Sequence, residues 1–221
     1  MSHEHTHTHP ETDTDMFTQE FWDERYSSAH RIWSGRPNRH LVTTVKDLTP
    51  GTALDVGCGE GADAIWLARQ GWQVMGVDVS TVALSRAAEE AKAAGPEIAD
   101  RITWQQADAL TWDPSPQTFD LVSAQFIHLP GPGLAYLHRR LAAVVRPGGT
   151  LLVVGHHRSD LETTIGRPNH PELMFTADEL AATLDPTGWH VVTEEPERLE
   201  TDKEGREVTI RDAVLRAVRD R

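Results

Sequence analysis

Short apolar runs alternate with longer amphipathic segments along most of the chain. Runs of five or six residues rich in Val, Ile, Leu and Trp have the length of strands, and segments with apolar residues every three to four positions have the length of helices. The pattern predicts strands at 52–56, 72–77, 101–106, 119–124, 150–155 and 189–194. It predicts helices at 62–70, 80–94, 134–145 and 176–184. Because helices that join strands favour parallel pairing with right-handed crossovers, we predict an α/β fold on a parallel sheet.

Residues 52–79 form the unit around which this pattern is arranged. The first strand ends in a turn with three glycines within Gly57–Gly61, a helix follows, and Gly71 stands where that helix would stop. The second strand closes on Asp78. Ligands of parallel sheets bind beyond the carboxyl ends of the strands, so the glycine turn and Asp78 lie where a ligand is expected.

Acidic residues around the glycine turn indicate which ligand it holds. The turn Gly57–Ala62 and Asp78 fit the loose fingerprint of dinucleotide sites, in which an acid about 20 residues on binds ribose. A pyrophosphate needs a cradle of neutral or positive groups, and Asp55 and Glu60 would repel it. A cationic ligand without phosphate suits these acids better. S-adenosylmethionine carries a sulfonium, an ammonium and a ribose diol.

The segments LDVGCGEG and GVDVS resemble the class I S-adenosylmethionine-dependent methyltransferases, and RPGGTLLVV is similar to that family's approach to its fifth strand. The resemblance implies a single Rossmann-like, doubly wound sheet of about seven strands, mostly parallel, with an antiparallel C-terminal strand and helices on both faces. That last strand would be 208–219, although the apolar spacing of this stretch is by itself helical. The implied cofactor is S-adenosyl-L-methionine.

The resemblance also implies a set of cofactor-binding residues. Most come from the glycine turn and the acid after the second strand, and two match the family's adenine-binding position after the third strand. The full set is Asp55, Gly57, Cys58, Gly59, Gly61, Asp78, Val79, Asp108, Ala109, Gln125 and Trp33. A helix cap or a turn is the alternative role for Asp108.

Two segments outside the sheet are predicted to cover the site within a single domain at 16–221. Residues 16–48 carry FWDERY followed by IW, Gly and PN, which resembles the N-terminal lid of small-molecule methyltransferases of the tellurite-resistance, thiol and halide types. Packing on the sheet edge is the alternative for these aromatic residues, but Trp33 has polar neighbours and is expected to face the site. Residues 157–175 form a long polar stretch without periodicity, which predicts a second lid loop.

Three histidines, His128, His156 and His157, follow predicted central strands. Imidazole titrates near neutral pH and can remove a proton from an acceptor. A hydroxyl or a protonated amine needs such a base, whereas a thiolate or a selenium or tellurium oxyanion does not, and both kinds of acceptor stay open. We expect His128 to be the base because its strand flanks the switch point of the sheet, with His156 and His157 as alternatives.

Composition and missing motifs narrow the class of partner. The formal net charge of −13 argues against an extended nucleic-acid surface or an anionic membrane. The fourth strand is not followed by Asp/Asn-Pro-Pro-Tyr/Phe, the motif of adenine-N6 and glutamine-N5 methyltransferases. The Pro-Cys pair of cytosine-C5 methyltransferases is also missing, because the single cysteine lies in the glycine turn. One cysteine excludes an internal disulfide, and no apolar leader is visible. We therefore predict a cytoplasmic methyltransferase that acts on a small-molecule acceptor.

Residues 1–15 are polar and are predicted to be a disordered tail. Histidines alternate within it and would share one face of an extended chain, so weak binding of zinc, nickel or copper is the alternative. These residues are His3, His5, His7 and His9. No other metal site is predicted.

Two rival classes remain open from the sequence. A nicotinamide-dependent oxidoreductase would share the strand–helix–strand unit, but it needs a hydride-transfer pair such as Tyr–Lys, and Tyr26 and Tyr136 are the only tyrosines. A non-catalytic S-adenosylmethionine-binding module would keep the glycine turn and have a closed acceptor pocket. Calorimetry with S-adenosylmethionine and NAD tests the first rival, and a turnover assay on a panel of acceptors tests the second.

Overall fold

A sheet of eight strands forms the centre of the computed structural model, which describes residues 15–129, 132–167 and 170–221. The strands are β1 (Thr52–Val56), β2 (Gln73–Asp78), β3 (Ile102–Gln106), β4 (Phe119–Gln125), β5 (Val145–His156), β6 (Trp189–Glu194), β7 (Glu197–Thr201) and β8 (Glu207–Arg219). The strand order is β3-β2-β1-β4-β5-β8-β6, and β7 pairs with the first part of β8. Strands β1 to β5 are parallel, which confirms the predicted parallel sheet.

Strand β8 runs antiparallel to both β5 and β6. The family resemblance predicted this strand, whereas the helical spacing of 208–219 was misleading. The reason is burial on both faces, which removes the alternation of apolar and polar residues that marks a half-exposed strand. The buried residues of β8 point to both faces of the sheet and include Ile210, Ala213, Val214, Leu215 and Ala217. The short strand β7 was not predicted, since its sequence ERLET is mostly charged.

Helices cover both faces of the sheet, as predicted. They are α1 (Gln19–Ser27), α2 (Arg39–Val45), α3 (Ala62–Arg69), α4 (Thr81–Ala94), α5 (Pro96–Ala99), α6 (Gly133–Ala143) and α7 (Ala177–Ala181). One buried cluster joins α2, α3 and α4 to Ala53 of β1, and the other joins α6 and α7 to Leu54. Since neighbouring residues of a strand point to opposite faces, the core has two layers with the sheet between them.

The helix boundaries follow local signals in the sequence. Thr18, Asn38 and Ser80 cap the starts of α1, α2 and α4 with their side chains. The capping box predicted at 176–179 is present at the start of α7, which ends at Ala181 rather than at 184. The short helix α5 after Gly95 was not predicted, and β5 begins earlier than expected, at Val145.

Among the described residues, no helix has the length and apolar character needed to cross a bilayer. The histidines at positions 3, 5, 7 and 9 lie outside the described residues, as do Pro168 and Asn169 within the predicted second lid.

Candidate cofactor and acceptor site

The glycine turn between β1 and α3 follows a backbone path that only glycine adopts without strain. Gly57, Gly59 and Gly61 have φ values of +68°, +52° and +80°. A Cβ at Gly61 would lie 2.8 Å from the Cβ of Ala87 and 2.7 Å from the ring of Trp104. The missing side chains therefore let the turn approach α4 and β3 closely.

Asp78 at the carboxyl end of β2 is tied to this turn by its carboxylate. Oδ2 accepts the N–H of Gly59 at 2.8 Å, and Oδ1 accepts the N–H of Ser80 at 2.9 Å. Burial raises the pKa of Asp78 above its ordinary value, although these two hydrogen bonds oppose the rise. Each oxygen of a carboxylate has a second lone pair, so Asp78 can also accept from the two hydroxyls of a ribose.

A groove of about 520 Å³ lies between residues 16–48, here called the N-terminal segment, and the carboxyl ends of β2 and β3. Its lining residues are Phe17, Thr18, Gln19, Glu20, Val79, Gln106, Asp108 and Leu110. The structure thus brings two predicted cofactor-binding residues, Val79 and Asp108, to one cavity. Asp108 also has the alternative role of a turn residue, because its Oδ1 accepts the N–H of Leu110 at 2.8 Å. Ala109 does not line the groove.

Arg140 on α6 holds the loop that carries Asp108. Its guanidinium donates to the carbonyl oxygens of Ala109 at 2.6 Å and Leu110 at 3.3 Å, and also to that of Trp112. A helix that follows β4 in the chain therefore fixes one wall of the groove.

A buried polar network lies between β1 and β4, where the strand order reverses. Asp55 is 2% exposed, and its carboxylate accepts the N–H of Ala64 in α3. Asp63 accepts the N–H of Asn38 with Oδ1 at 2.6 Å and an amide N–H of Gln125 with Oδ2 at 2.7 Å. Burial raises the pKa of Asp55 well above its usual range, and the nearby charge of Asp63 raises it further. Burial also raises the pKa of Asp63 to about 6.

Two buried acceptor atoms of this region have no partner among the residues described, namely Oδ2 of Asp55 and Oε1 of Gln125. Leaving a buried acceptor unpaired costs roughly 1–3 kcal/mol, so a donor from a ligand is favoured here. The ammonium group of S-adenosylmethionine is such a donor, its ribose diol matches Asp78, and the groove beside Val79 can hold its adenine. The residues present therefore fit this cofactor.

Aromatic side chains of the N-terminal segment lie over the glycine turn. The phenol oxygen of Tyr26 accepts the indole N–H of Trp33 at 2.9 Å. A Cβ at Gly59 would be 2.9 Å from this phenol oxygen and 3.5 Å from the indole, so both side chains lie directly against the turn. Burial raises the pKa of Tyr26, and the charge of Asp78 raises it further. Trp33 is 48% exposed, and its ring is in contact with both the turn and solvent.

Glu60 in the glycine turn anchors the N-terminal segment. Its Oε2 accepts the N–H groups of Ile32 and Trp33, both at 3.2 Å, and its Oε1 accepts from the guanidinium of Arg86 at 3.1 Å. Since Arg86 balances its charge, Glu60 is not an unpaired acid that attracts a cationic ligand. The sequence-based interpretation of Glu60 was therefore wrong.

Asp23 on α1 docks the same segment onto the start of α4. Oδ1 accepts the hydroxyl of Ser80 at 2.6 Å and the N–H of Val82 at 3.2 Å, and Oδ2 accepts the hydroxyl of Thr81 at 3.1 Å. Burial alone would raise the pKa of Asp23, but these hydrogen bonds hold it below its ordinary value. The carboxylate also complements the positive end of the helix dipole.

Four aromatic rings form a stack at the carboxyl ends of β4 and β5. The ring of His156 lies 4.7 Å from that of Phe126 and 4.9 Å from that of His128, which lies 5.7 Å from Phe175. Phe126 has a φ of +55°, a region that bulky residues rarely adopt. Burial lowers the pKa of His156 to about 2 and that of His128 below its ordinary value, and the positive charge of Arg167 lowers both further.

Hydrogen bonding assigns the tautomer of His128. Its Nδ1 lies 2.5 Å from the carbonyl oxygen of Leu173, and a carbonyl can only accept, so Nδ1 carries the hydrogen. Nε2 then has the lone pair, and it is buried without a partner in the described part of the chain. A neutral imidazole with a free lone pair can take up a proton from a group that comes within hydrogen-bond reach.

His157 does not join this stack. Its Nδ1 accepts the N–H of Ser159 at 3.1 Å, and its Nε2 lies 3.4 Å from Oε1 of Glu195. The ring caps the 3-10 helix at Arg158–Glu162. The structure thus brings two of the three predicted histidines together and places the third in a capping position.

Buried acids hold the segment between β5 and α7. Asp160 accepts two hydrogen bonds from Arg167, at 3.0 and 2.8 Å, and one from the N–H of Arg211 at 3.0 Å. At the turn between β7 and β8, Asp202 accepts the hydroxyl of Thr164 at 2.6 Å. The hairpin formed with the unexpected strand β7 therefore secures this segment.

No group of three or more His, Cys, Asp or Glu side chains within 15–129, 132–167 and 170–221 is arranged to hold a metal ion. Cys58 is half-buried in the glycine turn, and burial raises the pKa of its thiol well above the usual range.

Sequence reasoning missed Asp63, Ser123 and Asp23. An acid in the first turn of a helix is common because it complements the helix dipole, so Asp63 does not stand out. Ser123 precedes Gln125 by two positions on β4 and shares its face, which is the one signal that could have linked them.

Comparison with known proteins places this site in a family. A methyltransferase domain family matches residues 53–149. Methyltransferase GfsG of Streptomyces halstedii is 39% identical over 103 residues, which cover 45% of this chain but only 36% of that protein. Probable thiol methyltransferase 2 of Arabidopsis thaliana is 27% identical over 178 residues, which cover 78% of this chain and 74% of that protein.

A solved structure agrees over most of the chain. It comes from work on the conversion of a disulfide bond into a thioacetal group during echinomycin biosynthesis, and it superposes with a TM-score of 0.73 at 25% identity over 91% of both chains. The domain match at 53–149 contains the glycine turn, Asp78 and both strands at the switch point. The matched domain, the relatives and the fold support a class I S-adenosylmethionine-dependent methyltransferase with S-adenosyl-L-methionine as its cofactor.

Proposed function

We propose that this protein transfers a methyl group from S-adenosylmethionine to a heteroatom of a small-molecule acceptor that carries a proton. The acceptor would bind over the carboxyl ends of β4 and β5, between the N-terminal segment and the segment that follows β5. The observation that carries this proposal is the buried, unpartnered Nε2 of His128 beside His156. The name of one relative, a thiol methyltransferase, supports an acceptor of small size.

The cofactor supplies an electrophilic methyl group on a sulfonium, so the protein has to position the acceptor and take up its proton. As the acceptor heteroatom forms its bond to carbon, its proton passes to the lone pair on Nε2 of His128. Burial and the charge of Arg167 disfavour a protonated His128. The proton therefore returns to solvent readily once the product has left.

The two segments around the proposed acceptor site restrict the access of water. Glu60 and Asp63 hold the N-terminal segment by its backbone, and Asp160 and Asp202 hold the segment after β5. Excluding water strengthens the hydrogen bonds inside the site and keeps the acceptor in place.

A panel of thiols, phenols, amines and carboxylic acids, assayed for release of S-adenosylhomocysteine, tests the proposal. With the acceptor so found, His128→Ala should lower kcat roughly 10²–10⁴-fold and leave cofactor affinity unchanged. His128→Gln keeps a donor for the Leu173 carbonyl but has no base, so it should lose as much activity. His190→Ala is the matched control, because this histidine is exposed on β6.

The pH dependence of kcat is an independent test of His128 as the base. The base must be unprotonated, so kcat should rise with pH through a pKa below 6.5 and stay level near neutrality. An active His128→Gln enzyme would contradict the base and favour an acceptor that is already an anion, such as a thiolate. Turnover confined to nucleic acids or proteins would contradict a small acceptor.

A further inference from the structure

The orientation of the Gln125 amide at the end of β4 is fixed by its neighbours. Its Nε2 donates to Oδ2 of Asp63 at 2.7 Å and to the hydroxyl of Ser123 at 3.0 Å. An amide nitrogen has two hydrogens, so both are used. Oε1 is left as an acceptor, buried and without a partner within the described ranges.

Asp55 presents a second unpaired acceptor on the same face of the sheet. Asp55 on β1 is the register partner of Ser123 on β4, and Gln125 lies two residues beyond Ser123, so these side chains share one face. Oδ2 of Asp55 is buried and unpartnered among the residues that the structure describes. Two unpaired acceptors on one face fit a cationic group with several N–H donors.

Asp63 connects this pair to the N-terminal segment. Its Oδ1 accepts the N–H of Asn38, the N-cap of α2, at 2.6 Å. The same carboxylate therefore orients Gln125 and fixes the start of α2. The unpartnered acceptors lie on Gln125 and Asp55 and not on Asp63, so we assign Asp63 a role through its neighbours.

We propose that Asp63 is a positioning residue that sets Oε1 of Gln125, together with Oδ2 of Asp55, to receive the ammonium group of the cofactor. Through Asn38, the same carboxylate couples this end of the cofactor to the seating of the N-terminal segment. The inference concerns cofactor binding and holds for any acceptor. Its failure would therefore leave the proposed acceptor chemistry untouched.

Calorimetry with two ligands separates positioning from general stability. S-adenosylhomocysteine has the amino-acid end, whereas 5′-methylthioadenosine has the same adenosine and thioether without it. In Asp63→Asn, the amide at position 63 can accept from only one of the two donors, so Gln125 turns. Affinity for S-adenosylhomocysteine should fall roughly tenfold to a hundredfold, and affinity for 5′-methylthioadenosine should stay within about twofold.

A rescue sharpens the test. In the double variant Asp63→Asn with Gln125→Glu, the amide at 63 can donate to the carboxylate at 125, which restores the pairing in the opposite direction. A carboxylate oxygen then faces the ammonium, so affinity for S-adenosylhomocysteine should return to within about threefold of the original. Thermal unfolding of each variant, and its binding of 5′-methylthioadenosine, confirm that it is folded.

Two outcomes would overturn the proposal. An equal loss for both ligands would mean that Asp63 only supports the fold, and no loss for either would mean that Gln125 does not contact the ammonium. Should Asp63→Asn fail to fold, Gln125→Met replaces it with the same expectation, since methionine has nearly the same volume. Gln117→Met, at an exposed position, is its control.

Discussion

Buried polar groups are mostly hydrogen-bonded at the carboxyl ends of β1 and β2, whereas several are unpaired at the carboxyl ends of β4 and β5. At the first pair, both oxygens of Asp78 accept backbone N–H groups, and Glu60 is bonded through both of its oxygens. At the second pair, Nε2 of His128 and Nδ1 of His156 are buried and have no partner in the described part of the chain. The first region leaves only Oδ2 of Asp55 unpaired among the buried oxygens described, whereas the second leaves two ring nitrogens unpaired.

This difference follows from where the residues of each region lie in the chain. The glycine turn and Asp78 come from one continuous stretch, 52–79. The ring stack is assembled from His128, His156 and Phe175, which come from three separate stretches. The first region is therefore encoded locally in the sequence, whereas the ring stack depends on the tertiary fold.

The largest loss of ligand affinity is expected when Asp78 is replaced. Asp78→Ala should weaken binding of S-adenosylhomocysteine by roughly 1.5–3 kcal/mol or more, because it removes charge-assisted contacts to the ribose and frees the N–H of Gly59. Calorimetry measures the loss, and thermal unfolding shows whether the variant is folded. Asp185→Ala, at an exposed site, is the control. Unchanged affinity in a folded variant would contradict the role of Asp78.

The acidic cluster at the switch point predicts a smaller effect, seen in the pH dependence of cofactor affinity. The titratable groups whose charges act here are Asp55, Asp63, Asp78 and the thiol of Cys58. An ammonium nearby favours the ionised carboxylate, so binding lowers the pKa of Asp63 from about 6 and releases a proton. Affinity therefore falls as pH drops through about 6.

Between pH 5 and 7 the ligand ammonium stays charged, so a change in affinity reports the protein. Calorimetry with S-adenosylhomocysteine should give an affinity about tenfold weaker at pH 5 than at pH 7. Binding of 5′-methylthioadenosine, which has no ammonium, should vary much less. A level profile for S-adenosylhomocysteine would show that the Asp63 carboxylate does not respond to the ligand.

The smallest effect is expected at Arg140, which holds the loop that carries Asp108 at the edge of the groove. Arg140→Met removes the donors to three loop carbonyls, so Asp108 is less well placed, and affinity should fall about threefold to tenfold. Both S-adenosylhomocysteine and 5′-methylthioadenosine should lose equally, in contrast to Asp63→Asn. Arg139→Met on the same helix is exposed and serves as the control. A loss limited to S-adenosylhomocysteine would contradict this assignment.

The sequence predicted the fold where the signal was local. The unit β1–α3–β2 was bounded to within a residue or so because glycine, apolar length and Asp78 mark it directly. Strand β8 was found only through the family resemblance, since burial of both faces removes its alternation. Strand β7 has no apolar pattern, and only its pairing with β8 defines it.

The candidate site was predictable only in part, for a related reason. Val79 and Asp108 come to one groove as expected, but the sequence cannot show that Glu60 has a cation beside it or that Asp63 bonds to Gln125. Nor can it distinguish His156 from its neighbour His157, because the direction of a ring depends on the strand register. Such facts depend on residues brought together by the fold.

The way in which the N-terminal segment is held has a consequence for how this enzyme can change. The carboxylates of Glu60 and Asp63 accept hydrogen bonds from main-chain N–H groups of this segment. The donors are Ile32, Trp33 and Asn38. Every amino acid except proline supplies that donor, so these anchors do not constrain which side chains the segment carries there. The side chains at these three positions can thus be changed by mutation or design while these hydrogen bonds to the core are kept.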